Sequence, residues 1–142
     1  MKLSRILVPV DASDTSRRAL LFAANLAQEM QAKLDILHVT YFTSETDAQE
    51  ESWLPDEIAG HVRSDEAATK RMVEGCKLDN VAHAYHCRTG MPVEEILQFA
   101  EESLPDLIVT GGRGLGVVEG FFAGSVSQEL VERAQTAVMV VK

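Results

Sequence analysis

The stretch from residue 106 to residue 129 constrains the fold most, because it joins an apolar run, a glycine-rich segment and a helix start. Leu107, Ile108 and Val109 are consecutive apolar residues, which is typical of a strand covered on both faces. Six glycines follow between positions 111 and 124, and Ser125 opens an amphipathic run. Backbone N–H groups at a helix start lack partners within the helix and favour an anion. The stretch therefore predicts a strand, a phosphate-binding loop and a helix.

The spacing of these glycines separates the loop from two well-known phosphate-binding motifs. The chain has no Gly-Lys-Ser/Thr sequence, and no set of its glycines fits Gly-x-Gly-x-x-Gly, so both the P-loop and the dinucleotide fingerprint are excluded. The pattern that is present is Gly111-x2-Gly114-x9-Gly124-Ser125. This pattern resembles the ATP-binding loop of the universal stress protein family.

The beginning of the chain resembles the same family. Residues 6–20 read Ile-Leu-Val-Pro-Val-Asp-x-Ser-x-x-Ser-x-x-Ala-Leu, which predicts a strand over 3–10 and a helix capped by Ser13 or Asp14. Asp11, taken alone, is a turn or capping residue. In the family the matching aspartate lies against the ribose of the nucleotide, and a carboxylate is suited to accept hydrogen bonds from a ribose diol.

The resemblance implies an adenine nucleotide site for ATP, ADP or AMP, with Mg²⁺ as an ion that phosphates commonly carry. Asp11 would hold the ribose, and Val39 would contact the adenine. The glycines would let the backbone approach the phosphates, the serines would donate hydroxyl groups, and Val126 would supply a backbone N–H. Arg113 is either a further phosphate ligand or a solvated surface residue. The implied site residues are Pro9, Val10, Asp11, Val39, Gly111, Arg113, Gly114, Gly124, Ser125, Val126 and Ser127.

The central part of the chain alternates between strand and helix patterns. A strand is predicted over 33–40, a helix over about 57–77, a strand over 81–88, and a helix that begins near Pro92 and stops at Pro105. Residues 41–56 are acidic and show no clear period, which predicts a loop. His38 lies inside the second strand, and we interpret it as a packed, hydrogen-bonded residue.

The remaining histidines and the cysteines do not suggest a metal site. His83 and His86 are an odd number of residues apart, so in a strand they point to opposite faces. Cys76 and Cys87 form no Cys-x-x-Cys motif. No residue is therefore predicted as a metal ligand.

The alternation of strands and helices predicts a parallel, doubly wound sheet. The resemblance implies the details: a flavodoxin-like, three-layer α/β/α domain over residues 1–142, with five strands in the order 3-2-1-4-5. In such sheets ligands bind beyond the carboxyl ends of the strands, where the strand order reverses. That point lies between the first strand, which ends at Asp11, and the fourth strand, which ends at Gly111.

The last predicted strand, Ala137–Val141, is wholly apolar and is expected at an edge of the sheet. An apolar edge strand is an aggregation hazard unless it is covered or paired. Pairing with the same strand of a second copy would satisfy the backbone hydrogen-bonding groups of this strand and bury its side chains. The resemblance implies such a dimer, because many members of the family dimerise in this way. A homodimer is therefore expected.

Composition narrows the class of protein. The net charge of −9 argues against nonspecific nucleic-acid binding, which depends on neutralising phosphates with Lys and Arg. No apolar run approaches the roughly 20 residues of a membrane span. The N-terminus has no apolar signal-peptide region, so a cytoplasmic location is expected.

Three functions remain open. The first is an ATP-binding regulatory module of the stress response that acts on an unknown protein partner. The second is an enzyme of the same fold, such as a weak ATPase, an adenylating relative or a protein that phosphorylates itself, with Ser125 or Ser127 near the phosphates. The third is a structural dimer that does not bind nucleotide. The chain shows no convincing nucleophile–base pair, which disfavours the enzyme. The branch of the family that does not bind ATP lacks the glycine pattern, whereas this chain has it, which disfavours the structural dimer. The first function is therefore favoured.

Overall fold

The computed structural model describes residues 2–41, 56–112 and 125–142, in which strands and helices alternate. The strands are β1 (Arg5–Val10), β2 (Lys33–Tyr41), β3 (His83–Gly90), β4 (Leu107–Gly111) and β5 (Ala137–Val141). The helices are α1 (Asp14–Met30), α2 (Asp56–Gly75), α3 (Pro92–Ser103) and α4 (Ser125–Arg133). None of the helices in these three ranges combines the length and the apolar character that crossing a membrane requires.

The strands form one parallel sheet in the order β3-β2-β1-β4-β5. This order confirms the predicted topology. β1 is central, and its residues Ile6, Leu7 and Val8 are 0% exposed. A continuous apolar run is what a strand covered on both faces requires, because its successive side chains enter two different cores.

Helices cover both faces of the sheet. On one face, Ala19 and Leu20 of α1 and Val73 of α2 pack with Ile6 and Val8 of β1. On the other face, residues of α3 and α4 pack against Leu7 of β1; they include Val93, Ile96, Phe99, Val126 and Leu130. The arrangement is the predicted three-layer α/β/α fold.

Local signals place the element boundaries near their predicted positions. Ser13 caps α1, and its hydroxyl accepts a hydrogen bond from the backbone N–H of Ser16 at 3.2 Å. Pro92 is the first residue of α3, where a missing N–H costs nothing. β3 begins at His83 rather than at the predicted Val81, because the Val81 N–H donates to the Leu78 carbonyl in a turn at 3.1 Å.

A buried charge lies on β2. Asp35 has a side chain that is 2% exposed, and its carboxylate pairs with Arg5 Nη2 at 2.9 Å, His86 Nε2 at 3.0 Å and Lys33 Nζ at 3.7 Å. Burial alone would raise the pKa of Asp35, but the hydrogen bonds from His86 and Arg5 and the charge of Lys33 outweigh it and leave the pKa below its ordinary value. The carboxylate therefore stabilises the fold in its ionised form.

We expect Asp35→Asn to lower the free energy of unfolding by about 1–3 kcal/mol near neutral pH. Because the folded pKa is depressed, this stabilisation is present above the ordinary value of 3.8 and is lost as pH falls through the folded pKa. Urea unfolding at about pH 7 and about pH 3 should therefore show a difference between wild type and variant that shrinks in acid.

Asp79→Asn removes one carboxylate from an exposed turn and serves as the matched control. Its effect should stay within about 0.5 kcal/mol at both pH values. A stability difference for Asp35→Asn that does not change with pH would contradict the ion-pair account.

Candidate functional site

The carboxyl ends of β1 and β4 lie side by side at the point where the strand order reverses. From β1 the chain enters α1 on one face of the sheet, whereas α4, which follows β4 along the chain, packs on the opposite face. This divergence leaves a crevice beyond the two strand ends, which is where ligands bind in sheets of this type. Asp11 directly follows β1, and Gly111 is the last residue of β4.

Asp11 is held in a tight hydrogen-bonded turn. Its Oδ1 accepts hydrogen bonds from the Ser13 backbone N–H at 2.8 Å and from Ser16 Oγ at 3.0 Å. Its own N–H donates to Ser16 Oγ at 3.0 Å, and the residue is 3% exposed. Asp11 therefore stabilises the turn after β1, as its position alone suggested. The hydrogen bonds of this turn hold one of its carboxylate oxygens at the end of β1.

Gly111 packs against the start of α1. A Cβ atom at this position would lie 2.8 Å from both the carbonyl carbon and the oxygen of Thr15, and 3.2 Å from the N of Ser16. These are backbone atoms, which cannot move aside as a flexible side chain can. Glycine at 111 is thus required for the close approach of β4 to α1, a reason that the glycine pattern alone does not reveal.

The first residues of α4 lie on the other side of the crevice. The helix begins at Ser125, and the side chains of Val126 and Ser127 are both 6% exposed. Val126 packs into the apolar core beneath α3 and α4, which commits its side chain to the fold and leaves its backbone as the group relevant to a ligand. Three predicted site residues, Arg113, Gly114 and Gly124, lie outside the described residues.

The predicted adenine contact, Val39, lies just beyond the ladder between β1 and β2. That ladder ends with Val10 opposite His38, so Val39 is the first residue of β2 past it. The Val39 side chain is 2% exposed and belongs to the core under α3. Pro9 and Val10 are buried and form the end of β1 below the crevice.

His38 is packed and hydrogen-bonded, as predicted. It is 1% exposed, and its Nδ1 donates to the Val10 carbonyl at 3.2 Å. Its Nε2 lies 3.5 Å from Asp65 Oδ2. Because both ring nitrogens face protein groups and the ring is buried, His38 supports the end of β1.

Asp65, on α2, is a residue of this region that the sequence did not indicate. The pKa of its carboxyl group lies above the ordinary value, and burial is the largest cause. The neighbouring His38 lowers this pKa, whereas the carboxylates of Asp11 and Glu66 raise it. Glu66 also accepts a hydrogen bond from Thr40 Oγ1 at 2.8 Å. The carboxyl end of β2 is therefore acidic. No grouping of three or more His, Cys, Asp or Glu side chains in 2–41, 56–112 and 125–142 is arranged to hold a metal ion.

The doubly wound parallel sheet, with the crevice between its first and fourth strands, defines the chain as a flavodoxin-like α/β protein. The model of the universal stress protein family matches residues 2–142. Universal stress protein YxiE of Bacillus subtilis is 30% identical over 146 residues, which cover 98% of this chain and 99% of the relative. The chain belongs to the universal stress protein family.

Solved structures agree with this fold. Universal stress protein UspA from Lactobacillus plantarum has a TM-score of 0.79 at 24% identity, covering 100% of this chain and 99% of that chain. A universal stress protein in complex with cAMP has a TM-score of 0.68 at 25% identity, covering 99% and 98%. One from Archaeoglobus fulgidus in complex with dAMP has a TM-score of 0.66 at 22% identity, covering 100% of both chains.

Proposed function

We propose that this chain is a cytoplasmic protein that binds an adenine nucleotide, with ATP as the leading ligand, and acts as a regulatory module in the stress response. The observation that carries the proposal is that Asp11 and Gly111 stand at the carboxyl ends of two adjacent strands, at the point where the strand order reverses. Two relatives of the same fold are described in complex with cAMP and with dAMP, which supports an adenine nucleotide as the ligand.

The proposed orientation follows from the chemistry on the two sides of the crevice. Asp11 offers a fixed carboxylate, which suits the hydroxyl groups of a ribose. The start of α4 at Ser125 offers backbone N–H groups and the positive end of a helix dipole, which suit phosphates. We therefore assign the ribose to Asp11, the adenine to the backbone of Val39, and the phosphates to the segment that ends with Ser125, Val126 and Ser127.

The intervening glycine segment completes the proposed site. Gly114 and Gly124 would let the backbone approach the phosphates, and Arg113 would add a positive charge. Mg²⁺, when it accompanies the phosphates, would neutralise part of their charge. The buried position of His38 favours a binding role over catalysis, because a general base must reach its substrate.

Identification of co-purified nucleotide tests this proposal. Freshly purified protein is denatured, and the released small molecules are identified by chromatography with mass detection. We expect ATP, ADP or AMP in an amount approaching one per chain. A protein that releases no nucleotide and also fails to bind added ATP with Mg²⁺ would favour the structural dimer instead.

We further propose that two copies of the chain pair through β5. This strand is at the edge of the sheet, and Val140 is 39% exposed, whereas Val138, Met139 and Val141 are half-buried. An apolar edge strand is stabilised when a second strand pairs with it. We expect the wild-type protein to sediment as a dimer at micromolar concentration.

The variant Val140→Lys is expected to be a monomer in the same sedimentation experiment, because a charged side chain would be buried without a partner at the paired edges. Leu104→Lys is the control, since Leu104 follows α3 and is 75% exposed. It should leave the dimer intact. Monomeric wild-type protein would contradict pairing through β5.

A further inference from the structure

The peptide group that joins Val10 to Asp11 is held at both of its polar atoms. Its carbonyl oxygen, on Val10, accepts a hydrogen bond from His38 Nδ1 at 3.2 Å. Its N–H, on Asp11, donates to Ser16 Oγ at 3.0 Å, and the same hydroxyl group donates to Asp11 Oδ1 at 3.0 Å. His38 and Ser16 therefore fix the peptide plane that leads directly into the carboxylate proposed to hold the ribose.

The two nitrogens of the His38 ring face two hydrogen-bond acceptors. Nδ1 faces the Val10 carbonyl, and Nε2 lies 3.5 Å from Oδ2 of Asp65 on α2. The histidine is 1% exposed, and within 2–41, 56–112 and 125–142 its Nε2 makes no hydrogen bond. A neutral imidazole carries one N–H group, whereas the charged ring carries two. The ring can therefore donate to both acceptors only when it is charged.

Loss of one proton from the ring places the two acceptors in competition. A hydrogen bond to an ionised carboxylate is roughly twice as strong as one between neutral groups. The Asp65 side chain is 41% exposed, so little packing opposes its movement toward Nε2. The neutral ring would then keep its proton on Nε2 and turn the lone pair of Nδ1 toward the Val10 oxygen. The peptide group before Asp11 would lose one of its two fixed partners.

Other titratable groups surround this ring and its carboxylate. The carboxylates of Asp11 and Glu66 interact electrostatically with Asp65, and their negative charge favours a proton on the pair. On β3, Cys87 lies opposite the histidine in the strand register. Tyr85, on the same strand, interacts with Asp65 and Glu66, but burial raises the pKa of its phenol, so it stays neutral near neutral pH. The histidine is thus the group whose charge changes most readily in this range.

We propose that His38 is a positioning residue for Asp11, and that the proton its ring gains and loses makes nucleotide affinity depend on pH. This role rests on the proposed function. Affinity is highest when the ring is charged, and it falls as pH rises through the range of about 5 to 8 in which histidines titrate. Loss of one hydrogen bond that orders Asp11 corresponds to roughly a 2- to 10-fold loss of affinity.

The experiment measures ATP affinity, with Mg²⁺ present, by calorimetry at about pH 5.5 and about pH 8. Wild type is compared with Asp65→Asn, whose amide can donate to a neutral Nε2 and so leaves the proton on Nδ1 at both pH values. Glu66→Gln is the control, because it removes the same charge from the adjacent residue, which accepts a hydrogen bond from Thr40. Phosphate groups also titrate near pH 6, and the ratio of wild-type to variant dissociation constants cancels that effect.

We expect the affinity of wild type and of Glu66→Gln to fall about 2- to 10-fold more between the two pH values than that of Asp65→Asn. An equal fall in wild type and Asp65→Asn would overturn the inference while leaving the nucleotide site intact. A wild-type protein that binds no ATP at either pH would remove the proposed function, and the inference with it.

Nitrogen-15 NMR of the nucleotide-free protein tests the ring without any ligand. We expect both nitrogens of His38 to carry a proton in acid. At about pH 8 the Nδ1 should be unprotonated in wild type and protonated in Asp65→Asn. A wild-type Nδ1 that keeps its proton at high pH, or a ring that never becomes charged, would overturn the inference whatever the protein binds.

Discussion

Replacing Gly111 with alanine is expected to lower the free energy of unfolding by about 2–4 kcal/mol, although it adds a single methyl group. The new Cβ would lie 2.8 Å from the carbonyl carbon and oxygen of Thr15. Relief requires β4 or the first turn of α1 to move, because the atoms in contact belong to the backbone. Both elements are buried here, and close-packed interiors tolerate such shifts poorly.

The strain from this substitution should also reach the ligand site. Ser16, whose N lies 3.2 Å from the added Cβ, donates through its hydroxyl to Asp11 Oδ1. Displacement of the first turn of α1 would therefore move the Asp11 carboxylate. We expect Gly111→Ala to bind nucleotide more weakly even under conditions where the variant remains folded.

Urea unfolding checks the prediction, with Gly75→Ala as the matched control. A Cβ at Gly75, the last residue of α2, would meet no atom within 4 Å. Alanine is the better helix former by about 1 kcal/mol, so this control should be as stable as wild type or slightly more stable. Equal unfolding midpoints for Gly111→Ala and wild type would show that the close approach of β4 to α1 does not require glycine.

Replacing Gly124 with glutamate is expected to weaken ATP binding at least about 100-fold, which corresponds to about 2.8 kcal/mol. Gly124 lies outside the described residues and directly precedes Ser125, the first residue of α4. If the phosphates bind at this helix start, the new side chain blocks the approach of the backbone and adds a negative charge beside them. Both effects act against the same ligand group.

Gly75→Glu is the control for this variant, because it introduces the same side chain at a helix end with open space around it. Its ATP affinity should equal that of wild type. If Gly124→Glu also keeps wild-type affinity, the phosphates do not bind at the start of α4, and the assignment of Gly114, Ser125 and Ser127 fails with it.

Much of the fold follows from local patterns. Apolar runs such as 6–8 and 107–109 predicted central strands because a strand buried on both faces needs no polar alternation. Ser13 and Pro92 marked helix starts through chemistry that acts within one turn. The strand order came from the resemblance to the universal stress proteins, and the sheet confirms it.

The residues that the sequence did not reveal depend on contacts between distant segments. Asp35 lies between the apolar residues Leu34 and Ile36 of β2, and only the positions of Arg5 and His86 in the folded sheet explain how a carboxylate is buried there. The sequence did not single out Asp65, because only the position of α2 in the fold brings it next to His38. Such roles follow from how elements pack, which periodicity does not encode.

Binding of ATP to the nucleotide-free wild-type protein tests the central claim most directly. Bound nucleotide is first removed, and ATP with Mg²⁺ is then titrated into the protein in a calorimeter. The account predicts saturable binding of one nucleotide per chain. The absence of saturable binding up to about 1 mM ATP, where the binding free energy would be weaker than about −4 kcal/mol, would contradict it.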